Sequence, residues 1–130
     1  TNPTTVAQYA ALAALKGDPA VLDAMRQTFA TRRAALVEGI NRIPGLSARM
    51  PDGAFYAFVD VRPLLGKRSG MTVLSDDLAV SEWLLEKARC AAVPGTPFGA
   101  PGFIRFSYAT SVELIEEGLK RIHAAVAELV

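Results

Sequence analysis

Apolar side chains recur with a helical period in four stretches of the chain and crowd into short strand-like runs in four others. Val6, Tyr9, Ala10, Ala13 and Ala14 share one helical spacing, with N-cap candidates in residues 1–5 and Gly17 just past the end, so residues 5–16 read as a helix. Asp18-Pro19 starts the next helix, because Asp caps while Pro in the first turn gives up an N–H that would have no partner there. Leu22, Met25, Phe29, Leu36, Ile40 and Ile43 carry its apolar stripe to Pro44-Gly45. That stripe predicts a helix of about 25 residues, roughly 37 Å long, a length suited to bridging two domains.

Residues 46–50 and 54–61 read as an antiparallel hairpin around Pro51-Asp52-Gly53, the second strand rich in aromatic and β-branched side chains. Residues 62–77 lose periodicity and gather Pro63, Gly66, Lys67, Arg68, Ser69 and Gly70, the composition of a mobile surface loop. Asp76 or Asp77 then caps a helix to about Arg89, with Leu78, Ser81, Leu84, Leu85 and Ala88 facing inward. Short strands at 91–93 and 103–109 flank a loop rich in glycine and proline. Thr110 with Glu113 forms a capping-box pattern for a last helix, whose stripe runs from Leu114 to Leu129. The order predicts an α/β fold: a two-layer small domain, a small sheet covered by helices, with a long interdomain helix and an N-terminal helical arm. The expected boundaries are an arm at 1–17 and the small domain at 18–130.

Composition narrows the functional classes. At 130 residues and 51% hydrophobic, the chain supports one core. A net charge of +1 with interspersed signs offers no basic patch for nucleic acid. One cysteine, Cys90, allows no internal disulfide, and one histidine, His123, allows no Cys/His zinc cluster, so a metal site is not expected and a reducing cytoplasm is. No apolar run approaches the roughly 18 residues of a membrane span. The first residue is Thr, not Met, and leads straight into a helical pattern, so sequence upstream is expected.

Arg105 carries the most chemical information. It lies within Phe103-Ile104-Arg105-Phe106-Ser107-Tyr108-Ala109, and alternation puts Phe103, Arg105, Ser107 and Ala109 on one face. A guanidinium stays charged at any working pH and is costly to bury without an anion. Its partner is either an acid of this chain or the carboxylate of a ligand; exposure at a sheet edge is the third option. The loop Pro94-Gly95-Thr96-Pro97-Phe98-Gly99 lacks the Gly-Lys-Ser/Thr ending of a nucleotide loop and reads as a turn between strands. His123 reads as a helix-surface residue, Cys90 as a small core residue, Arg32-Arg33 as a solvated face and Asp76-Asp77 as helix capping.

Five segments taken in order resemble the fold-type I pyridoxal-phosphate-dependent aminotransferases, closest to the aspartate aminotransferase group. They are Thr1-Asn2-Pro3-Thr4-Thr5, Phe29-Ala30-Thr31-Arg32-Arg33, Pro51-Asp52-Gly53-Ala54-Phe55-Tyr56, Val93-Pro94-Gly95-Thr96-Pro97-Phe98-Gly99, and Ile104-Arg105-Phe106-Ser107-Tyr108-Ala109-Thr110. The resemblance implies that Arg105 grips the substrate α-carboxylate and that Phe55 lies near the substrate mouth. It implies amino-acid and 2-oxo-acid substrates, pyridoxal 5'-phosphate as cofactor, and a homodimer in the intact enzyme. The family's Schiff-base lysine lies in a Ser-Lys motif upstream of the segment matching Thr1, and none of Lys16, Lys67, Lys87 or Lys120 sits in such a motif. The chain therefore looks like the C-terminal portion of such an enzyme, lacking its large domain, with no catalytic or cofactor-binding residue assigned in it and no activity of its own. Alternatives are a lyase or aromatic aminotransferase of the same fold type, or a noncatalytic interaction module that keeps the small-domain fold.

Overall fold

The computed structural model describes residues 2–130; Thr1, the first residue of the first family-like segment, lies outside them. Helix α1 (Thr5–Lys16) is capped by Thr4, whose hydroxyl accepts from the Ala7 N–H, and Gly17 closes its C-terminus with the backbone in an extended conformation. Helix α2 (Pro19–Ile40) follows, with the Asp18 carboxylate accepting from the Ala20 N–H. It is 22 residues long and stops three residues before the apolar stripe does. The reason is Asn41, whose side-chain amide bonds both the N–H and the C=O of Ala48 and so turns the chain toward the first strand. Ile43 keeps its inward position through a tight turn, with its N–H donating to the Ile40 carbonyl.

The strands β1 (Ser47–Ala48), β2 (Tyr56–Asp60), β5 (Val93–Pro94) and β6 (Phe103–Ser107) form one antiparallel sheet in the order β1-β2-β6-β5. The β1–β2 hairpin and the β5–β6 hairpin match the sequence pattern, although every strand is shorter than expected. Alternation along the central pair sends Ala57, Val59, Ile104 and Phe106 inward. There they join Leu36, Val37 and Ile40 of α2, Val80 and Leu84 of α3 (Asp77–Ala88), and Ile115 and Ile122 of α4 (Val112–Ala127) in one core. The three helices cover this face. The opposite face has no helix over it. This is the expected two-layer small domain.

Several local expectations need correction. Residues 62–77 are not a loose loop: a 3₁₀ turn at Arg62–Leu64 and a small hairpin of β3 (Arg68–Ser69) and β4 (Thr72–Val73) anchor them, with Leu64 and Leu74 fully buried. The hairpin also holds the chain's last residue, since Arg68 and Val130 exchange backbone hydrogen bonds. In α3, Ser81, Leu84 and Ala88 face inward as expected, but Leu78 and Leu85 face outward, and Val80 and Trp83 complete the buried stripe in their place. The cap of α4 is Ser111, accepting from the Leu114 N–H, because it is the residue immediately before the helix; Thr110 lies one position too early. His123 is exposed on α4, as expected. No helix among the described residues is long and apolar enough to cross a membrane.

α1 buries no residue at all, and Val6, Tyr9 and Leu15 are 81%, 71% and 86% exposed. The first turns of α2 continue this surface through Val21, Leu22 and Met25. Contiguous apolar surface of this kind promotes association. The chain by itself is expected to self-associate through residues 1–17. Light scattering on the chain with and without those residues checks this, and a monomer at high concentration in both cases would contradict it.

Candidate functional site

The open face of the sheet is set by the strand period. Tyr56, Phe58 and Asp60 of β2 share it with Phe103, Arg105 and Ser107 of β6, and Val93 of β5 lies opposite Arg105 on the other side. Arg105 stands in the middle, directly across from Phe58. Its guanidinium carbon lies 4.2 Å from the centroid of the Tyr56 ring and 4.4 Å from that of Phe98. Stacking on rings uses the faces of a guanidinium and leaves its in-plane N–H donors free, so it fixes the orientation of the group without consuming a donor.

Among the described residues no acid takes those donors. Among the described residues the arginines in ion pairs are Arg26, Arg42, Arg62 and Arg121. Those whose side chains donate hydrogen bonds are Arg26, Arg33 and Arg62. Arg105 is in neither set. Asp60 is the one acid among the strand residues of this face, diagonally placed from Arg105. It is already engaged: Arg62 donates from Nε to Oδ1 at 2.9 Å and from Nη2 to Oδ2 at 2.6 Å. The side-chain hydrogen bonds from Arg62 hold the Asp60 carboxyl below the usual carboxylate range, against the opposing effect of burial. Of the three partners open to Arg105 on sequence grounds, an internal acid is thus eliminated.

Phe98 reaches Arg105 from the loop between β5 and β6, where Thr96–Phe98 form a 3₁₀ turn, and its ring meets Phe58 edge-on with centroids 5.9 Å apart. Gly95 is what lets this loop close on itself. Its own N–H donates to the Phe103 carbonyl at 2.7 Å, and a side chain there would collide with the carbonyl oxygens of Ala100 and Phe103. The loop also has a partner that the sequence pattern does not reveal. Asp76 alone caps α3, whereas Asp77, 2% exposed, turns inward. Its carboxylate accepts from the Thr96 N–H at 2.8 Å, the Thr96 hydroxyl at 2.7 Å and the Gly102 N–H at 3.3 Å. Burial works to raise the Asp77 pKa, but these hydrogen bonds outweigh it and leave the group below the usual range.

Phe55 is half-exposed at the start of β2, its ring 4.3 Å from Tyr56 and 6.5 Å from Phe29. Tyr56 therefore lies between the two sequence-predicted site residues as a shared packing partner. The turn before Phe55 is held by Tyr108, whose hydroxyl donates to the Ala54 carbonyl at 3.0 Å and whose N–H donates to the Phe55 carbonyl. Ala54 itself has φ of 60°, a left-handed conformation unfavourable for alanine. Arg33 braces the same turn by donating to the Pro51 carbonyl at 2.7 Å, so it is a partly buried strut and not a solvated residue. A groove of about 770 Å³ runs between α2 and this turn, past Phe29, Arg33, Asp52 and Tyr108. Arg105 is not on its wall.

Cys90 is half-buried, with its Sγ near the carbonyl oxygens of Ala88 and Gly118, and burial pushes its thiol up. It packs beside the core as expected, away from Arg105.

The chain matches the family model for aminotransferase class I and II over residues 1–122. It is 46% identical to a probable aspartate/prephenate aminotransferase of Aquifex aeolicus across 98% of its own length and 32% of that protein. The crystal structure of the aspartate aminotransferase from Rhizobium meliloti superposes with a TM-score of 0.94 at 39% identity, covering all of this chain and 33% of that one. An alanine aminotransferase from Pyrococcus furiosus superposes with a TM-score of 0.85 at 29% identity, covering 97% of this chain and 30% of the other. The chain thus spans about a third of the length of the relatives it matches.

Two outcomes follow from the loop geometry. Gly95→Ala is expected to lower stability by about 1–3 kcal/mol through overpacking against fixed backbone, read as a lowered Tm, whereas Gly53→Ala, where a side chain meets open space, is expected to change it far less. Asp60 and Asp77 both have folded-state pKa values below the unfolded value of about 3.9, so their stabilisation is present above that value and is lost as pH falls through the folded values. Asp77→Asn should be less stable at pH 7 and show a shallower acid-side loss, measured by urea unfolding between neutral pH and pH 2.

Proposed function

The chain belongs to the class I and II aminotransferase family, and from that premise we propose that it supplies the carboxylate-gripping side of an enzyme transferring an amino group between an amino acid and a 2-oxo acid. Aspartate or a similar acid is the favoured substrate, by likeness to the relatives named aspartate aminotransferase. Arg105 is the group that receives the substrate α-carboxylate, and Phe55 flanks the entrance. The observation that carries this reading is a guanidinium oriented by two aromatic rings, on a helix-free sheet face, with no acid among the described residues on its donors. A carboxylate fits those donors through two parallel, charge-assisted hydrogen bonds. The same arginine serves any amino acid, so side-chain preference is set by residues around it; the alanine and aspartate enzymes that share this fold are consistent with that.

The family's cofactor, pyridoxal phosphate, draws electrons from the substrate Cα and requires a lysine amine for its aldehyde. Lys16, Lys67, Lys87 and Lys120 are all exposed, on α1, the 62–77 segment, α3 and α4, and none is on the face that carries Arg105. In this reading none of these lysines serves the cofactor, and no residue of this chain is given a contact with it. We place the cofactor, and the walls missing around Arg105, in the rest of the full-length protein. Residues 1–17 belong in this reading to that larger part, and the exposed faces of α1 and α2 are covered by it and by a second subunit.

In the full-length enzyme, Arg105→Ala is expected to lower kcat/KM by roughly 30-fold to several thousandfold, the equivalent of losing about 2–5 kcal/mol of charge-assisted binding. An unchanged kcat/KM for dicarboxylic and neutral amino acids alike would refute the clamp. The chain alone, mixed with pyridoxal phosphate, reduced with borohydride and dialysed, is expected to retain no stoichiometric label at a single lysine, as read by mass spectrometry.

A further inference from the structure

Asp77 lies on α3, behind the sheet, and touches neither Arg105 nor the open face, yet it is the buried charge nearest the machinery that orients Arg105. Its carboxylate holds the 95–102 loop at both ends: Thr96 through N–H and hydroxyl at one, Gly102 through N–H at the other. Between those two points the loop is internally compact. The Phe98 N–H donates to the Gly95 carbonyl at 2.8 Å, the Gly99 N–H to the Thr96 carbonyl at 3.0 Å and the Ala100 N–H to the Gly95 carbonyl at 3.1 Å. A compact loop clamped at both ends moves as a unit, so the position of Asp77 becomes the position of Phe98. Phe98 in turn is one of the two rings on which Arg105 rests.

We propose that Asp77 is a positioning residue for substrate carboxylate binding, acting through the Thr96–Gly102 clasp and the Phe98 ring on the orientation of Arg105. The proposal rests on Arg105 receiving the substrate carboxylate. Two features of the fold suit a carboxylate to this task. As the first residue of α3, Asp77 lies at the positive end of the helix macrodipole, which stabilises its charge. Its three donors are two backbone N–H groups and one hydroxyl, so the clasp needs only Thr96 among side chains. The second support of Arg105, Tyr56, is on β2 and does not depend on Asp77. Loss of the clasp should loosen the guanidinium without removing it.

The test uses the full-length enzyme and two amino donors, aspartate and 3-aminopropanoate, the second being aspartate without its α-carboxylate. Single-turnover rates with each, and the Kd of maleate by calorimetry, are measured for Asp77→Asn, Phe98→Ala, the double variant and Arg105→Ala. Asp77→Asn is expected to lower the aspartate kcat/KM about tenfold and to weaken maleate by a similar factor, with the rate on 3-aminopropanoate unchanged. Phe98→Ala should show the same selective loss, and the double variant no more than the larger single one, because both act through one ring. Equal losses on both donors would make Asp77 merely structural and overturn the proposal, as would multiplicative losses in the double variant or no loss at all. Should Asp77→Asn fail to fold, Thr96→Val removes one of the three donors while keeping both backbone bonds, and a milder loss with the same selectivity is then required. Arg105→Ala separates the two ideas: if it too treats the donors alike, the clamp itself is wrong, whereas selective loss there without any at Asp77 sinks only the positioning role.

Discussion

A strand repeats every two residues, and in the central pair β2 and β6 that period divides one set of backbone hydrogen bonds between two chemistries. Ala57, Val59, Ile104 and Phe106 point into the helices, while Tyr56, Phe58, Asp60, Phe103, Arg105 and Ser107 point away from them. A shift of one residue in β6 would drive Arg105 into the core and Ile104 and Phe106 out of it, and the same shift in β2 would bury Asp60 and expose Val59. The cost of burying an unpaired guanidinium therefore defends the pairing from one side, and the loss of apolar burial defends it from the other. The elements beyond the sheet extend this arrangement. α2, α3 and α4 cover the apolar face, and the loop between β5 and β6 brings Phe98 to the charged one.

Keeping Arg105 unpaired requires that its own chain not neutralise it. Asp60 is the obvious competitor, two positions along the neighbouring strand. Two unit charges about 7 Å apart attract by about 2 kcal/mol at an effective dielectric of 20, enough to draw a flexible arginine toward the wrong carboxylate. Arg62 removes that pull with two hydrogen bonds to Asp60, and its aliphatic stem packs on Gly102, where a side chain would collide with it. The aromatic rings supply the remaining control. They limit where the guanidinium can lie while contributing no acceptor of comparable strength.

Much of this was legible in the sequence. The four helices follow from their apolar stripes and from Asp18-Pro19, the alternation of residues 103–109 fixed the side of the sheet on which Arg105 stands, and Pro51-Asp52-Gly53 marked the hairpin. What escaped were contacts between residues distant in the chain. Asp77 looked like a second capping residue because its neighbour is one; its true partners are 19 and 25 positions away, and no local spacing records them. Leu64 and Leu74 looked like part of a loop because a short hairpin between them supplies no helical or strand period long enough to detect. Ile43 extended the stripe of α2 although the helix had ended, since a tight turn can preserve an inward position as well as a helix can. Gly95 has the composition of turn chemistry, yet its φ is ordinary and the space around it is what excludes a side chain.

In the proposed reading, the separation of labour between this chain and the rest of a longer protein has its own physical logic. Orienting a carboxylate requires a rigid donor, and rigidity comes from a strand paired on both sides, as β6 is by β2 and β5. Excluding water from a bound carboxylate requires walls, and among the described residues the Tyr56 and Phe98 rings are what lie against the Arg105 guanidinium. A guanidinium left open to solvent binds carboxylates weakly, because water competes for its donors and screens its charge. The same surface closed by a second layer of protein becomes a strong site without any change in Arg105. In this reading, closure, and not the placement of the arginine, decides when the substrate is held tightly. An arginine fixed by rings instead of by an acid suits that arrangement, since its donors remain unpaired until a ligand and its covering walls arrive together.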